Sequence, residues 1–137
     1  MKNFIVVIPC GFRKVASPTI AGRLYTGPYF KCNLRWALSV ADQKRIFILS
    51  AKHGLVPLHK VLSPYNLKMG QKGSVTAEQV SAQAKELGLD GYRVYAIGGK
   101  AYLNIIKSCF SEVRCPVEGM PLGRSNQILK MNHGKLP

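Results

Sequence analysis

Three short apolar runs punctuate the chain, each rich in β-branched or aromatic residues: "FIVVI" at 4–8, "RIFILS" at 45–50 and "YRVYAIG" at 92–98. Each has the length and composition of a buried strand. Between them the hydrophobic spacing changes. Residues 29–42 carry Leu34, Ala37, Leu38 and Ala41 at i, i+3, i+4 and i+7, which predicts a helix. Residues 75–87 read as a second helix, capped by Ser74 without a proper capping box, because Glu78 follows by four positions and not three. Residues 99–110 place Tyr102, Ile105, Ile106 and Cys109 on one side of a third helix. "EVRCPV" reads as a fourth strand and "LGRSNQILKMN" as a closing helix.

Two segments break the alternation. Residues 10–30 hold Gly11, Pro18, Gly22, Gly27 and Pro28, and predict an ordered loop with one helical turn at 20–24. Residues 51–73 hold Gly54, Pro57, Pro64, Gly70 and Gly73, and read as a loop throughout. The alternation of strands and helices predicts one α/β domain over 1–137, three-layered and Rossmann-like, with a small, mostly parallel sheet of three to five strands. In such sheets ligands sit beyond the carboxyl ends of the strands. Here those ends are "PCGFRK", "SAKHGL", "GGKAY" and "PVEGM", where glycines, cations and one glutamate gather.

Charge sharpens this picture. Twenty Lys and Arg against six Asp and Glu give a formal net charge of +14, spread along the chain and not confined to a tail. Such a field favours phosphate-rich partners, nucleic acid first. Solubility, or an acidic protein partner, would use the same charge. No apolar run is long enough to span a membrane, and "FIVVIPC" is too short for a signal peptide, so a cytoplasmic protein is expected. The four cysteines lack paired close spacing; C-x5-C at 109 and 115 is a weak metal signature, and reduced thiols are the better reading. No metal and no cofactor are called for.

The candidate residues follow from the strand ends. Arg13 and Lys14 come just after the first strand and Lys100 just after the third, placed to meet phosphate where backbone N–H groups open at a helix start. Neither "CGFRK" nor "AIGGK" completes a phosphate-loop or dinucleotide motif. His53 lies three residues beyond the second strand, poised for proton chemistry, with Lys52 beside it. Tyr25 and Tyr65 suit stacking on a base or closing the sheet edge as lids. Lys68 and Arg124 add cations. Among the acids, Glu118 alone follows a strand at its carboxyl end, where a carboxylate steers water or stabilises a cationic sugar. A plain salt bridge is its other role.

"ILSAKHGLVPLHKVLSPYNLKMG" resembles the core motif of the YaaA peroxide-stress family, a strand followed by Ser, a small residue, Tyr or His, Gly-Leu and Pro, then Pro-Tyr and Leu-x-Met-Gly. Small relatives of that family, often phage-borne, share further marks, found here as Cys10, Gly11 and Lys14, as 24–27, and as Pro116, Gly119 and Gly123. The resemblance covers about residues 5–130. It implies a link to nucleic acid, either DNA binding that limits oxidative damage or a base-modification system acting on glycosidic bonds. Where an acidic residue often follows Pro-Tyr in the small relatives, this chain has Asn66; if that acid is catalytic in them, this protein is weakened or uses Glu118 instead, with His53 or Asn66 handling water.

Three functions stay open at this point. One is an enzyme acting on the N-glycosidic bond of a modified, damaged or extruded base in duplex or single-stranded DNA, by hydrolysis or base exchange. The second is a DNA-binding protein without catalysis. The third is an enzyme of free nucleotides or nucleosides.

Overall fold

The apolar runs become the centre of a five-stranded sheet in the computed structural model, which describes residues 3–137. In chain order the strands are β1 (Phe4–Pro9), β2 (Thr19–Ile20), β3 (Ile46–Ser50), β4 (Gly54–Pro57), β5 (Val61–Leu62), β6 (Arg93–Ala96) and β7 (Glu112–Arg114). The helices are α1 (Ala21–Leu24), α2 (Pro28–Val40), α3 (Ala77–Glu86), α4 (Lys100–Cys109) and α5 (Leu122–Met131). The sheet order is β4-β3-β1-β6-β7. β1 pairs in parallel with β3 (Val6 opposite Ile46) and with β6 (Ile5 opposite Val94), as the sequence predicts. β7 adds in parallel to β6, a short fourth parallel strand that ends before Cys115.

Alternate residues of β1 explain why it sits in the middle. Val6 and Ile8 pack on one face with Ile46, Ile48, Trp36 of α2 and Leu129 of α5. Ile5 and Val7 pack on the other with Phe47, Leu49, Val80 of α3 and Ile106 of α4. A strand apolar on both faces needs cover on both. Burying each Ile or Val side chain stabilises by about 1.5–3 kcal/mol. The result is a mixed α/β fold with helices and a multi-stranded sheet.

Several sequence expectations need correction. The 51–73 segment is not all loop: β4 returns antiparallel to β3, with Leu49 opposite Leu55, so the sheet is mixed. Further on, β5 pairs antiparallel with β2 in a separate two-stranded ribbon. Gly54 and Pro57 mark the ends of β4 and not a loop interior, which edge position permits. The cap of α3 is Thr76, whose Oγ1 accepts from Gln79 N at 3.2 Å, while Gln79 Oε1 accepts from Thr76 N at 2.9 Å. That is a full capping box two residues beyond Ser74. In α2 the buried face is Phe30, Asn33, Trp36 and Ala37, whereas Leu38 is 45% exposed. Of the predicted stripe, Ala37 is buried and Leu34 and Ala41 pack against the same core, so Leu38 alone departs from it.

Candidate functional site

The loops leaving β1 and β3 meet over a chain of hydroxyls. Ser50, the last residue of β3, is fully buried and its Oγ accepts from the backbone N–H of Lys52 (3.2 Å) and His53 (3.0 Å), folding the turn into β4. With both lone pairs occupied, the Ser50 proton is left to donate to Tyr65 Oη at 2.7 Å. Tyr65 then donates to Tyr25 Oη, also at 2.7 Å. The chain therefore runs from Ser50 through Tyr65 to Tyr25, tying three distant segments together. Burial pushes the Tyr25 phenol up to about 12, opposed in part by the Tyr65 hydrogen bond. Burial also raises Tyr65, and both phenols stay protonated as the chain requires.

Around these hydroxyls stand the cations. Lys14 donates from Nζ to the Phe12 carbonyl at 2.9 Å and lies 4.2 Å from the Tyr65 ring centre. An ammonium over an aromatic face is held by the ring quadrupole. Its pKa is lowered, by burial first, with Cys10 opposing. Phe12 is 58% exposed, and the ammonium groups of Lys14 and Lys68 lie 5.5 and 4.8 Å from its ring centre. Beside it opens a cleft of about 280 Å³, walled by Cys10, Phe12, Lys68, Met69 and Tyr102. Cys10 Sγ and Tyr102 Oη are 3.3 Å apart on that wall.

His53 packs edge-on against Tyr65, ring centres 5.6 Å apart, and its carbonyl accepts from Gln83 Nε2 at 2.8 Å. Burial first, then Lys52 and Lys60, lowers its pKa below the ordinary 6.5. The folded protein thus binds this proton less readily than the unfolded chain. Stability should be constant above the ordinary value, fall as pH drops through 6.5, and level out below the lowered folded value. Unfolding midpoints in urea between pH 5 and 8 test this, and His53→Gln should remove part of the acid-side loss. An unchanged pH profile in that variant would contradict it.

Glu118 lies elsewhere on the same edge. Its Oε2 accepts from Lys107 Nζ at 2.6 Å, and it lines a second cleft of about 510 Å³ with Lys100, Tyr29 and Ser125. His53, Tyr65 and Tyr25 line neither this cleft nor the smaller one beside Phe12, so the expected single pocket shared by Glu118, His53 and the tyrosines is not formed. The first turn of α4 divides the two clefts: Lys100 faces the larger cleft and Tyr102 the smaller. Arg13, Lys52, Asn66 and Arg124 are exposed, with Arg124 donating to Gln127 Oε1 at 3.0 Å. Tyr25, only 2% exposed, offers no stacking face and instead anchors Tyr65.

Sequence reasoning missed Phe12, Ser50 and Ser125. An aromatic between Gly11 and Arg13 at a strand end was the available signal for Phe12, and a polar residue closing an apolar strand was the signal for Ser50. Among the described residues, no group of three or more His, Cys, Asp or Glu is placed to hold a metal ion, and no helix is long and apolar enough to cross a membrane.

The fold and this edge define a mixed α/β domain whose cations, aromatics and two clefts gather beyond the ends of its parallel strands. Residues 5–131 match DUF6884, a family of unknown function, and the chain belongs to that family. No curated protein and no solved structure matches the chain.

Proposed function

We propose that the protein binds DNA along this edge, seating an extruded or single-stranded base, and acts there on the base's N-glycosidic bond. The observation that carries the reading is Phe12, a 58% exposed ring with two ammonium groups about it, on the rim of a cleft. An exposed aromatic set among cations is what single-stranded nucleic acid uses, the ring for a base and the charges for phosphates. The +14 net charge supports the same partner, as does the resemblance to YaaA-like proteins. In this reading the sheet, with α1, α2 and α5 on one side and α3 and α4 on the other, is a three-layer, Rossmann-like scaffold, and the site is at its strand ends. Four unpaired cysteines fit a reducing cytoplasm.

The chemistry falls to Glu118, which lines the larger cleft across the first turn of α4 from Phe12, so the nucleotide acted on enters that cleft while its neighbour stacks on Phe12. Breaking an N-glycosidic bond builds positive charge on the sugar, and a carboxylate nearby lowers that barrier. Lys107 balances its charge in the resting protein. His53 packs against Tyr65, lines neither cleft and is left outside this step.

Affinity for single-stranded DNA should fall with a slope of about −0.7 in log K against log salt for each phosphate neutralised. Phe12→Ala should weaken it roughly ten- to a hundredfold, the size of one lost stacking contact, and Lys14→Ala should steepen nothing but shorten that slope. Base release across damaged and modified DNAs should be seen with the parent protein and largely lost in Glu118→Gln, with affinity kept. Salt-independent binding would sink the DNA reading. Binding without base release would leave a non-catalytic DNA-binding protein in its place, and turnover of free nucleosides would favour a small-molecule enzyme.

A further inference from the structure

The larger cleft carries a feature that the base-binding reading does not use. Two helices open their N-termini onto it. Neither α4, beginning after Gly99, nor α5, beginning after Pro121, has a side-chain cap or an acidic residue in its first turn. The first internal bonds are Leu103 N to Gly99 O (3.0 Å) and Ser125 N to Pro121 O (2.9 Å). The backbone N–H groups of 100–102 and 122–124 therefore precede the internal ladder and carry the positive ends of both helix dipoles. Gly98, at φ 153°, makes the tight entry into α4, where an added Cβ would lie 2.8 Å from Tyr102 Cβ. Lys100 stands on the wall as a cation, while the charge of Glu118 is matched by Lys107.

The independent observation is Ser125. It is 3% exposed, lines this cleft, and its Oγ has no hydrogen-bond partner among the described residues. A serine inside a helix ordinarily satisfies its hydroxyl on the carbonyl four residues earlier or on water. A buried hydroxyl left unsatisfied is a cost that a bound acceptor removes. An acceptor that also welcomes two helix N-termini and a lysine is a phosphate oxygen. The other walls, Tyr29, Leu103, Val117 and Met120, are largely apolar, and about 510 Å³ accommodates a molecule of nucleotide size.

We infer that this cleft binds the phosphate monoester of a nucleotide-sized ligand, with Ser125 Oγ donating to it, Lys100 balancing its charge, and the opening turns of α4 and α5 cradling it. The ligand is either a free mononucleotide or the 5′-phosphorylated end of a DNA strand. This site stands whether or not any glycosidic bond is broken.

Calorimetric titration of the full chain with deoxyadenosine 5′-monophosphate and with deoxyadenosine tests it. The phosphate should tighten binding at least about tenfold, the scale of one charge-assisted hydrogen bond. Ser125→Ala should remove most of that increment while the melting temperature holds or rises, because an unsatisfied hydroxyl has gone. Lys100→Gln should lower the increment about tenfold by a route that touches no buried group. Equal affinity for nucleotide and nucleoside, or an increment unchanged in both variants, would overturn the inference. Oligonucleotides with and without a 5′-phosphate identify the source. A phosphate increment on the oligonucleotide assigns a strand end, an increment confined to the mononucleotide assigns a free nucleotide, and an increment on neither overturns the site.

Discussion

Trp36→Ala should destabilise the protein by about 3–5 kcal/mol, the range for emptying an aromatic site in a packed core. Trp36 is 2% exposed and belongs to the cluster that joins α2, the sheet and α5. Its indole N–H also donates to the Asn132 carbonyl at 3.2 Å, just beyond the end of α5, so the substitution strands a partner as well as opening a cavity. Since a domain of this size holds only about 5–15 kcal/mol in reserve, the variant should show a large drop in the urea midpoint. Trp36→Phe, which keeps most of the volume, should lose much less. A cost below about 1 kcal/mol for alanine would mean that α2 and α5 are not held together as described.

Gly54→Ala should cost about 2–4 kcal/mol, although it adds a single methyl group. Gly54 has φ +74°, a left-handed conformation that an L side chain resists, and an added Cβ would sit 2.1 Å from Gln83 Oε1. Gln83 cannot swing away freely. Its Oε1 accepts from Leu55 N at 2.9 Å while its Nε2 donates to His53 O at 2.8 Å, so moving the amide breaks both bonds. Gln83→Ala removes the collision and the bonds together. In that background Gly54→Ala should cost only the backbone strain, roughly 1–2 kcal/mol. Equal costs in both backgrounds, read from urea unfolding, would show that the collision does not contribute. The loop that carries His53 should loosen in either variant, with faster hydrogen exchange at Leu55.

Phe4, Ile46 and Arg93 each open a strand that hydrophobic patterning located, because a strand buried on both faces reads as an unbroken apolar run. β4 did not read this way. Only four residues long and bounded by Gly54 and Pro57, it looks in sequence like the loop around it, and its strand character comes from pairing with β3. Thr76 escaped notice for a related reason: a cap is defined by which residue first turns helical, and Ser74 offered the same chemistry two positions early. At the candidate site, strand-end logic placed Lys14, His53, Tyr65, Lys100 and Glu118 on one edge. It did not show that Tyr25 and Tyr65 spend their hydroxyls on each other and on Ser50, or that α4 parts the edge into two clefts. Those outcomes depend on contacts between residues 15, 40 and more positions apart, which local periodicity does not encode.

The central place of β1 also bears on how the molecule is made. It is made before the other strands of its sheet, yet one of its two neighbours, β6, begins only at Arg93. β3 and β4 can zip onto one side soon after synthesis, but the other side of "FIVVI" keeps unpaired peptide groups until β6 has been made. An apolar, β-branched edge of this kind recruits other strands until its own arrives. Nascent chains stalled before residue 93 therefore carry the aggregation hazard of this protein, and a chaperone that shields that edge serves it more than one that acts on the finished fold.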